Sequence, residues 1–151
     1  MSDEDLRALV YKSCVFLDEE DFDGYLGLCS KDFSYTVHVY SPELGREMIW
    51  LSNDRNELAS LFENVRNHVR LDGKFFRQAT VYSVDRDVQS RSANVLTSVT
   101  VIHTDAGGAS RIFAVARYQD TLDLSGDLPL LKYRRVRLDT RELGTGSHIP
   151  M

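Results

Sequence analysis

Asn94-Val95-Leu96-Thr97-Ser98-Val99-Thr100-Val101-Ile102-His103-Thr104 opens the stretch that decides the fold of this chain. Val95, Thr97, Val99 and Val101 alternate with Leu96, Ser98, Thr100 and Ile102, which is the period of a strand. Arg111–Leu122 and Leu130–Leu138 read the same way. The short turns Asp105-Ala106-Gly107-Gly108 and Ser125-Gly126-Asp127 join the three runs. Glycine in such a turn supplies positive φ, so Gly107-Gly108 is read as a hairpin and not as a phosphate loop. Strands linked by short turns form an antiparallel meander.

Working back along the chain, Phe76, Gln78, Thr80, Tyr82 and Val84 alternate with Arg77, Ala79, Val81 and Ser83, so a further strand starts near Phe75. Apolar residues fall on both sides of these strands. One face can cover helices; the other is too apolar for water and implies a partner surface.

The first half reads as helices. Leu6, Leu9, Val10, Ser13, Phe16 and Leu17 recur at helical spacing over roughly residues 3–18. Ser2 is placed to cap that helix, and Asp3, Glu4 and Asp5 suit its positive end. A shorter helix carries Phe22, Tyr25, Leu26 and Cys29, weakened by Gly24 and Gly27. Phe33–Tyr40 alternates as a strand, with Phe33, Tyr35, Val37 and Val39 inward and Ser34, Thr36, His38 and Tyr40 on the other side. Ser41-Pro42-Glu43-Leu44-Gly45 breaks it. Asp54 and Glu57 have capping-box spacing for a third helix, whose stripe is Leu58, Leu61, Phe62, Val65 and Val69 and whose stop is Asp72-Gly73.

Helices followed by a meander predict an α+β fold in one domain spanning residues 1–151. The order matches nuclear transport factor 2 and ketosteroid isomerase. The expectation is a nuclear transport factor 2-like, or SnoaL-like, cone with N-terminal helices packed in a strongly curved mixed, mainly antiparallel sheet. That cone hosts both enzymes and non-catalytic subunits, so fold alone assigns no activity.

Composition narrows the function. The 42% apolar and 27% charged content is that of an ordinary globule, and no apolar run approaches the roughly 20 residues of a membrane span. Residues 3–23 hold eight of the 23 acids against two of the 18 bases, leaving 15 acids and 16 bases elsewhere. Without a basic footprint, nucleic acid is not an expected partner. The acidic opening Met1-Ser2-Asp3-Glu4-Asp5 is unlike a secretory signal, and Cys14 and Cys29 alone suit reduced thiols, so a cytoplasmic location is expected.

No motif supplies chemistry by itself. His38, His68, His103 and His148 are far apart, and neither cysteine is followed at two or three residues by Cys or His, so zinc and Rieske spacings are absent. There is no Gly-x-Ser-x-Gly elbow. An enzyme of the cone type would need a carboxylate base facing a donor in an apolar pocket. Tyr35, Tyr82 and Tyr118 are the candidate donors, with Asp32, Asp85 and Asp120 the candidate bases. His38, between Thr36 and Tyr40, is the most prominent single polar residue.

Several phrases together resemble one family. They are Phe16-Leu17-Asp18-Glu19-Glu20, Asp32-Phe33-Ser34-Tyr35, Met48-Ile49-Trp50-Leu51-Ser52-Asn53-Asp54-Arg55, Ser92-Ala93-Asn94-Val95 and Arg134-Arg135-Val136-Arg137-Leu138-Asp139-Thr140. In order and spacing they are similar to the small, or β, subunit of Rieske non-haem iron ring-hydroxylating dioxygenases, over about residues 5–142. Tyr40-Ser41-Pro42-Glu43-Leu44, Asp139-Thr140-Arg141 and Gly144-x-Gly146-x-His148-Ile149-Pro150 look most like the branch with small subunits of methanesulfonate-type monooxygenases.

The resemblance implies a structural subunit without catalytic, cofactor-binding or metal-binding residues of its own. The Rieske [2Fe-2S] cluster and the non-haem iron would sit in a large (α) partner, commonly in a hexamer of three large and three small subunits with homotypic small-subunit contacts. Trp50, Arg134, Arg135 and Asp139 are the expected contact residues, since Trp and Arg are favoured anchors. Two other functions stay open: a stand-alone isomerase, dehydratase or cyclase acting on a small apolar ligand, and a homo-oligomeric binding module.

Overall fold

The structure, a computed structural model, describes residues 1–65, 72–143 and 150–151. Helix α1 (Asp3–Asp18) starts at a complete capping box: the Ser2 side chain accepts from the Asp5 N–H, and the Asp5 carboxylate accepts from the Ser2 N–H. Leu6, Val10 and Leu17 are fully enclosed on its inner face, each contributing roughly 1.5–3 kcal/mol by burial. Ser13, on the same stripe, turns its hydroxyl back to the Val10 carbonyl at 2.6 Å, which satisfies it without solvent.

Helix α2 (Phe22–Gly27) is capped by Asp21, whose carboxylate accepts from the Gly24 N–H. It ends before Cys29, which begins a strand instead of continuing the helix. Gly24 has a packing reason. A Cβ there would lie 2.8 Å from the Phe16 ring, so only glycine lets α2 approach α1 this closely. Helix α3 (Arg55–Asn64) starts at the Asp54–Glu57 capping box and buries Leu58 and Phe62. Val65 is buried just beyond it, whereas Val69 and His68 lie outside the described residues.

Six strands make one sheet: β1 (Cys29–Ser41), β2 (Arg46–Asp54), β3 (Lys74–Asp87), β4 (Ser92–Thr104), β5 (Ser110–Asp123) and β6 (Leu130–Leu138). Their spatial order is β2-β1-β6-β5-β4-β3. All neighbouring pairs are antiparallel except β1 and β6, which run parallel. The mixed, mainly antiparallel α+β arrangement is therefore present.

Two expectations need correction. Residues 46–54 form a strand, where the sequence pattern marks none between Gly45 and the start of α3. Met48-Ile49-Trp50-Leu51 lacks alternation because Trp50 is the extra residue of a bulge opposite the Val37/His38 step. The second correction concerns shape. The sheet is not strongly curled, so the cone of the nuclear transport factor 2 or SnoaL type is not what this chain forms. β2 and β3 remain its two edges among the described residues. The register also shifts at Cys29/Ser34, Val81/Ser83, Val101/Ile102 and Thr121/Leu122. A strongly bent sheet needs one line of bulges crossing its strands, and the Val101/Ile102 shift stands apart from the others.

The core lies between the helices and one sheet face. α1 lies mainly against β3, and α3 against β1 and β2. Gly73 sets the entry to β3: its φ is +99°, and a Cβ there would lie 2.0 Å from the Thr104 carbonyl oxygen.

Candidate functional site

Alternation along β5 and β6 sends Tyr118, Asp120 and Leu122 inward from one strand and Arg134, Val136 and Leu138 from the other. The register pairs Asp120 with Arg134 directly. Both are enclosed: Arg134 is 0% exposed and Asp120 is 2%. Arg134 donates from Nε to Asp120 Oδ1 at 2.8 Å and from Nη2 to Oδ2 at 2.9 Å, a two-point clamp. The guanidinium carbon also stands 3.9 Å above the Tyr118 ring centre. Burial alone would pull the Arg134 pKa down, but the Asp120 carboxylate and the Tyr25 and Tyr118 side chains outweigh it, so Arg134 stays cationic. Arg134 Nη1 and the Tyr25 hydroxyl are buried without a hydrogen-bond partner.

This placement corrects the expectation for Arg134. It is a core residue whose charge is neutralised inside the chain, so it offers nothing to a neighbour's surface.

The same placement answers the enzyme reading. Of the candidate bases, only Asp120 is interior, and Arg134 already occupies both its oxygens. Asp32 is exposed beside Ser30 and Lys132, and Asp85 is exposed on the opposite sheet face. Tyr82 also points outward. The Tyr35 and Tyr118 hydroxyls are inside, where burial raises both pKa values, but each is engaged with Met151. No carboxylate faces a free donor in this interior among the described residues.

Cys14 and Cys29 are buried thiols. Burial raises the pKa of each, that of Cys29 to about 12, which keeps them protonated and unreactive. Among the described residues, no group of three or more His, Cys, Asp or Glu is placed to hold a metal ion. The described side chains therefore do not fit an iron site.

The outer face of the sheet carries a second polar arrangement. Tyr133 and His38 both hydrogen-bond the Thr36 hydroxyl at 2.9 Å. Arg135 donates to Glu47, and Arg137 approaches the same carboxylate at 3.7 Å. Beside them lies an open groove of about 360 Å³ lined by Ser83, Asp85, Asn94, Gln119, Thr121 and Arg135, among others. Further along, Phe76, Ile102 and Ile112 sit in register across β3, β4 and β5 as an apolar strip. At the β2 edge, Ile49, Trp50 and Leu51 are all exposed, Trp50 by 44%. Asp139 is exposed just after β6, its N–H held by the Val115 carbonyl at 2.9 Å.

Sequence reading missed Glu47, Arg77, Asp18 and Met151. Only Arg77 left a signal, by sharing a face with Ala79 and Val81.

His38 gives a measurable pH effect. It is 8% exposed; burial lowers its pKa, Arg135 adds to this, and Glu47 opposes it. The unfolded chain therefore binds that proton more tightly than the folded one. Stability from neutral His38 is complete above the ordinary value of 6.5 and is lost as pH falls below it. In thermal unfolding, the wild type should lose stability between about pH 7 and pH 5 more steeply than His38→Gln. Parallel curves would remove the effect.

Comparison with known proteins adds to this geometry. No protein-family model matches the chain. It is 33% identical over 146 residues, 97% of both chains, to the β subunit of 2-aminobenzenesulfonate 2,3-dioxygenase from an Alcaligenes species. It is 30% identical over 155 residues to the hydroxylase β subunit of methanesulfonate monooxygenase from Methylosulfonomonas methylovora, covering 97% of this chain and 85% of that one. Among solved structures, a β subunit assigned to an aromatic-ring-hydroxylating dioxygenase of Novosphingobium aromaticivorans superposes with a TM-score of 0.76. That match covers 94% of this chain and 92% of the other at 21% identity, so it speaks for the fold alone. The end-to-end identity to the first two proteins shows that the chain belongs to the family of β subunits of Rieske ring-hydroxylating oxygenases.

Proposed function

We propose that this chain is the non-catalytic, structural small subunit of a Rieske-type oxygenase, pairing with a large subunit that carries the Rieske cluster and the mononuclear iron. The observation that carries this reading is the 33% identity across 97% of both chains to a dioxygenase β subunit. The interior supports it, because its one buried carboxylate among the candidate bases is neutralised by Arg134 and not poised for proton transfer. The exposed Ile49-Trp50-Leu51 run and the Phe76–Ile102–Ile112 strip offer apolar surface for a neighbour. Trp50, Arg135 and Asp139 are the proposed contact residues. A hexamer of three large and three small subunits in the cytoplasm is the proposed assembly. Both sequence relatives carry a sulfonate in their names, so an organosulfonate is the proposed substrate class.

Co-expression with a large oxygenase subunit from the same organism tests the proposal. The pair should co-elute, and iron and sulfonate-dependent oxygen uptake should appear only with the large subunit present. Stoichiometric iron or oxygenase activity in the small subunit alone would reject it, as would full activity of a large subunit that never binds this chain. Within the pair, Trp50→Ala should weaken association by about 2 kcal/mol, roughly thirtyfold, if Trp50 is a contact anchor.

A further inference from the structure

His38 sits where the sheet is held from one side only. It is 8% exposed on the outer face of β1, and its Nε2 meets the Thr36 hydroxyl at 2.9 Å. On one side it stands in register with Arg137 of β6, and on the other with Ile49 of β2. The pairing of β1 with β2 slips at this residue, where Trp50 bulges. β2 is an edge strand, so β1 is its only neighbour in the sheet. A bulge disrupts that ladder locally.

The charges around the ring decide what a proton does there. Arg135 and Arg137 face it from β6, together with Tyr133, which also bonds Thr36. Glu47 faces it from β2, Tyr40 flanks it on β1, and Asp139 lies exposed just past β6. Glu47 already accepts from Arg135 and stands 3.7 Å from Arg137 Nε. Neutral His38 leaves this balance of two cations against one acid as it is. Protonated His38 makes three cations, and its burial adds to the cost. The Thr36 hydroxyl can accept from the imidazolium, so that hydrogen bond survives and the penalty is one of charge. Arg135 and Arg137 belong to a strand paired on both sides, by β1 and β5, whereas Glu47 belongs to the edge. The imidazolium gains only by drawing Glu47 off its arginines, and the strand free to follow is β2.

We propose that His38 is a proton-operated latch on the β2 edge. Neutral, it lets β2 close on β1 at the Trp50 bulge; protonated, it releases that edge while β3 to β6 stay paired. The exposed Ile49 and Trp50 shift with the edge. What the release does to a partner seated there rests on the oxygenase reading; the release itself does not.

Trp50 is the single tryptophan, so its fluorescence reports on this edge alone. In the full chain, held well below its melting temperature, the emission should step between about pH 7 and pH 5, and His38→Gln should lack the step. Glu47→Gln removes the acid that favours the charged ring, so its step should move to lower pH. A flat wild-type titration, the same step in His38→Gln, or a step moved upward in Glu47→Gln overturns the proposal. Hydrogen exchange on the wild type decides without any variant. Over the same pH range, the β2 amides bonded to β1 should speed up at least tenfold relative to that of Val99 in β4. A constant ratio overturns the latch, since the whole sheet would then be loosening together.

Discussion

Arg134→Met is expected to destabilise the chain by about 3–5 kcal/mol, the cost of leaving one half of a buried ion pair without its partner. The variant strips Asp120 of both hydrogen bonds while its carboxylate stays 2% exposed, and it removes the cation above the Tyr118 ring. For a chain of this length, each kcal/mol corresponds to about 2–4 °C in melting temperature, so the drop should exceed 6 °C. Asp120→Leu alone should cost a similar amount, since it strands the guanidinium. Joining the two changes should recover most of the loss, because an apolar pair of similar volume removes both orphaned charges together. Denaturant unfolding of the four proteins measures the coupling. A loss below about 1 kcal/mol for Arg134→Met would mean that water reaches the pair and that the interior is wetter than described.

The second large effect is expected at Arg77. Arg77→Met leaves the Pro150 and Met151 oxygens and the Asp18 carboxylate short of a donor, at about 1–3 kcal/mol for each group that stays buried. Asp18 is partly reached by solvent and keeps the Arg77 main-chain N–H, so a total near 3 kcal/mol is expected, not the full sum. Burial raises the Asp18 pKa, and the Arg77 hydrogen bond and charge offset only part of this, so the variant should shift that carboxyl further up. Arg77→Lys is the informative control. Lysine keeps the charge but not the planar fork that serves three acceptors at once, so it should recover less than half of the stability. Full recovery by lysine would reduce Arg77 to a point charge near Asp18.

Much of this architecture is legible in the sequence. Ser2 and the Asp54–Glu57 pair announced two helix starts, because side chains that satisfy free N–H groups leave a local signature. The alternation of 94–104, 111–122 and 130–138 placed β4, β5 and β6 within two residues of their ends, and Phe33, Tyr35, Val37 and Val39 were assigned to the buried face correctly. What failed was non-local. The β2 strand escaped because the Trp50 bulge interrupts its period. Sheet curvature depends on how bends in separate strands line up, which no single segment encodes. The place of Arg134 was hidden because a buried ion pair needs a partner 14 residues away in the chain, and an arginine among arginines looks like surface. Nothing in Pro150-Met151 reveals the Tyr35, Arg77 and Tyr118 side chains that meet it.

The parallel pairing of β1 with β6 has a consequence for how the protein is made. The hairpin of β1 and β2 leaves the ribosome early, yet its other neighbour is the last strand to be synthesised. Until Leu131, Arg134 and Val136 emerge, β1 offers an open edge and Tyr35 lacks its lateral support. Long-range closure of this kind is slow, and waiting edges invite mispairing. The nascent chain therefore spends most of its synthesis with its first strand unclaimed, an interval in which a chaperone would serve it best.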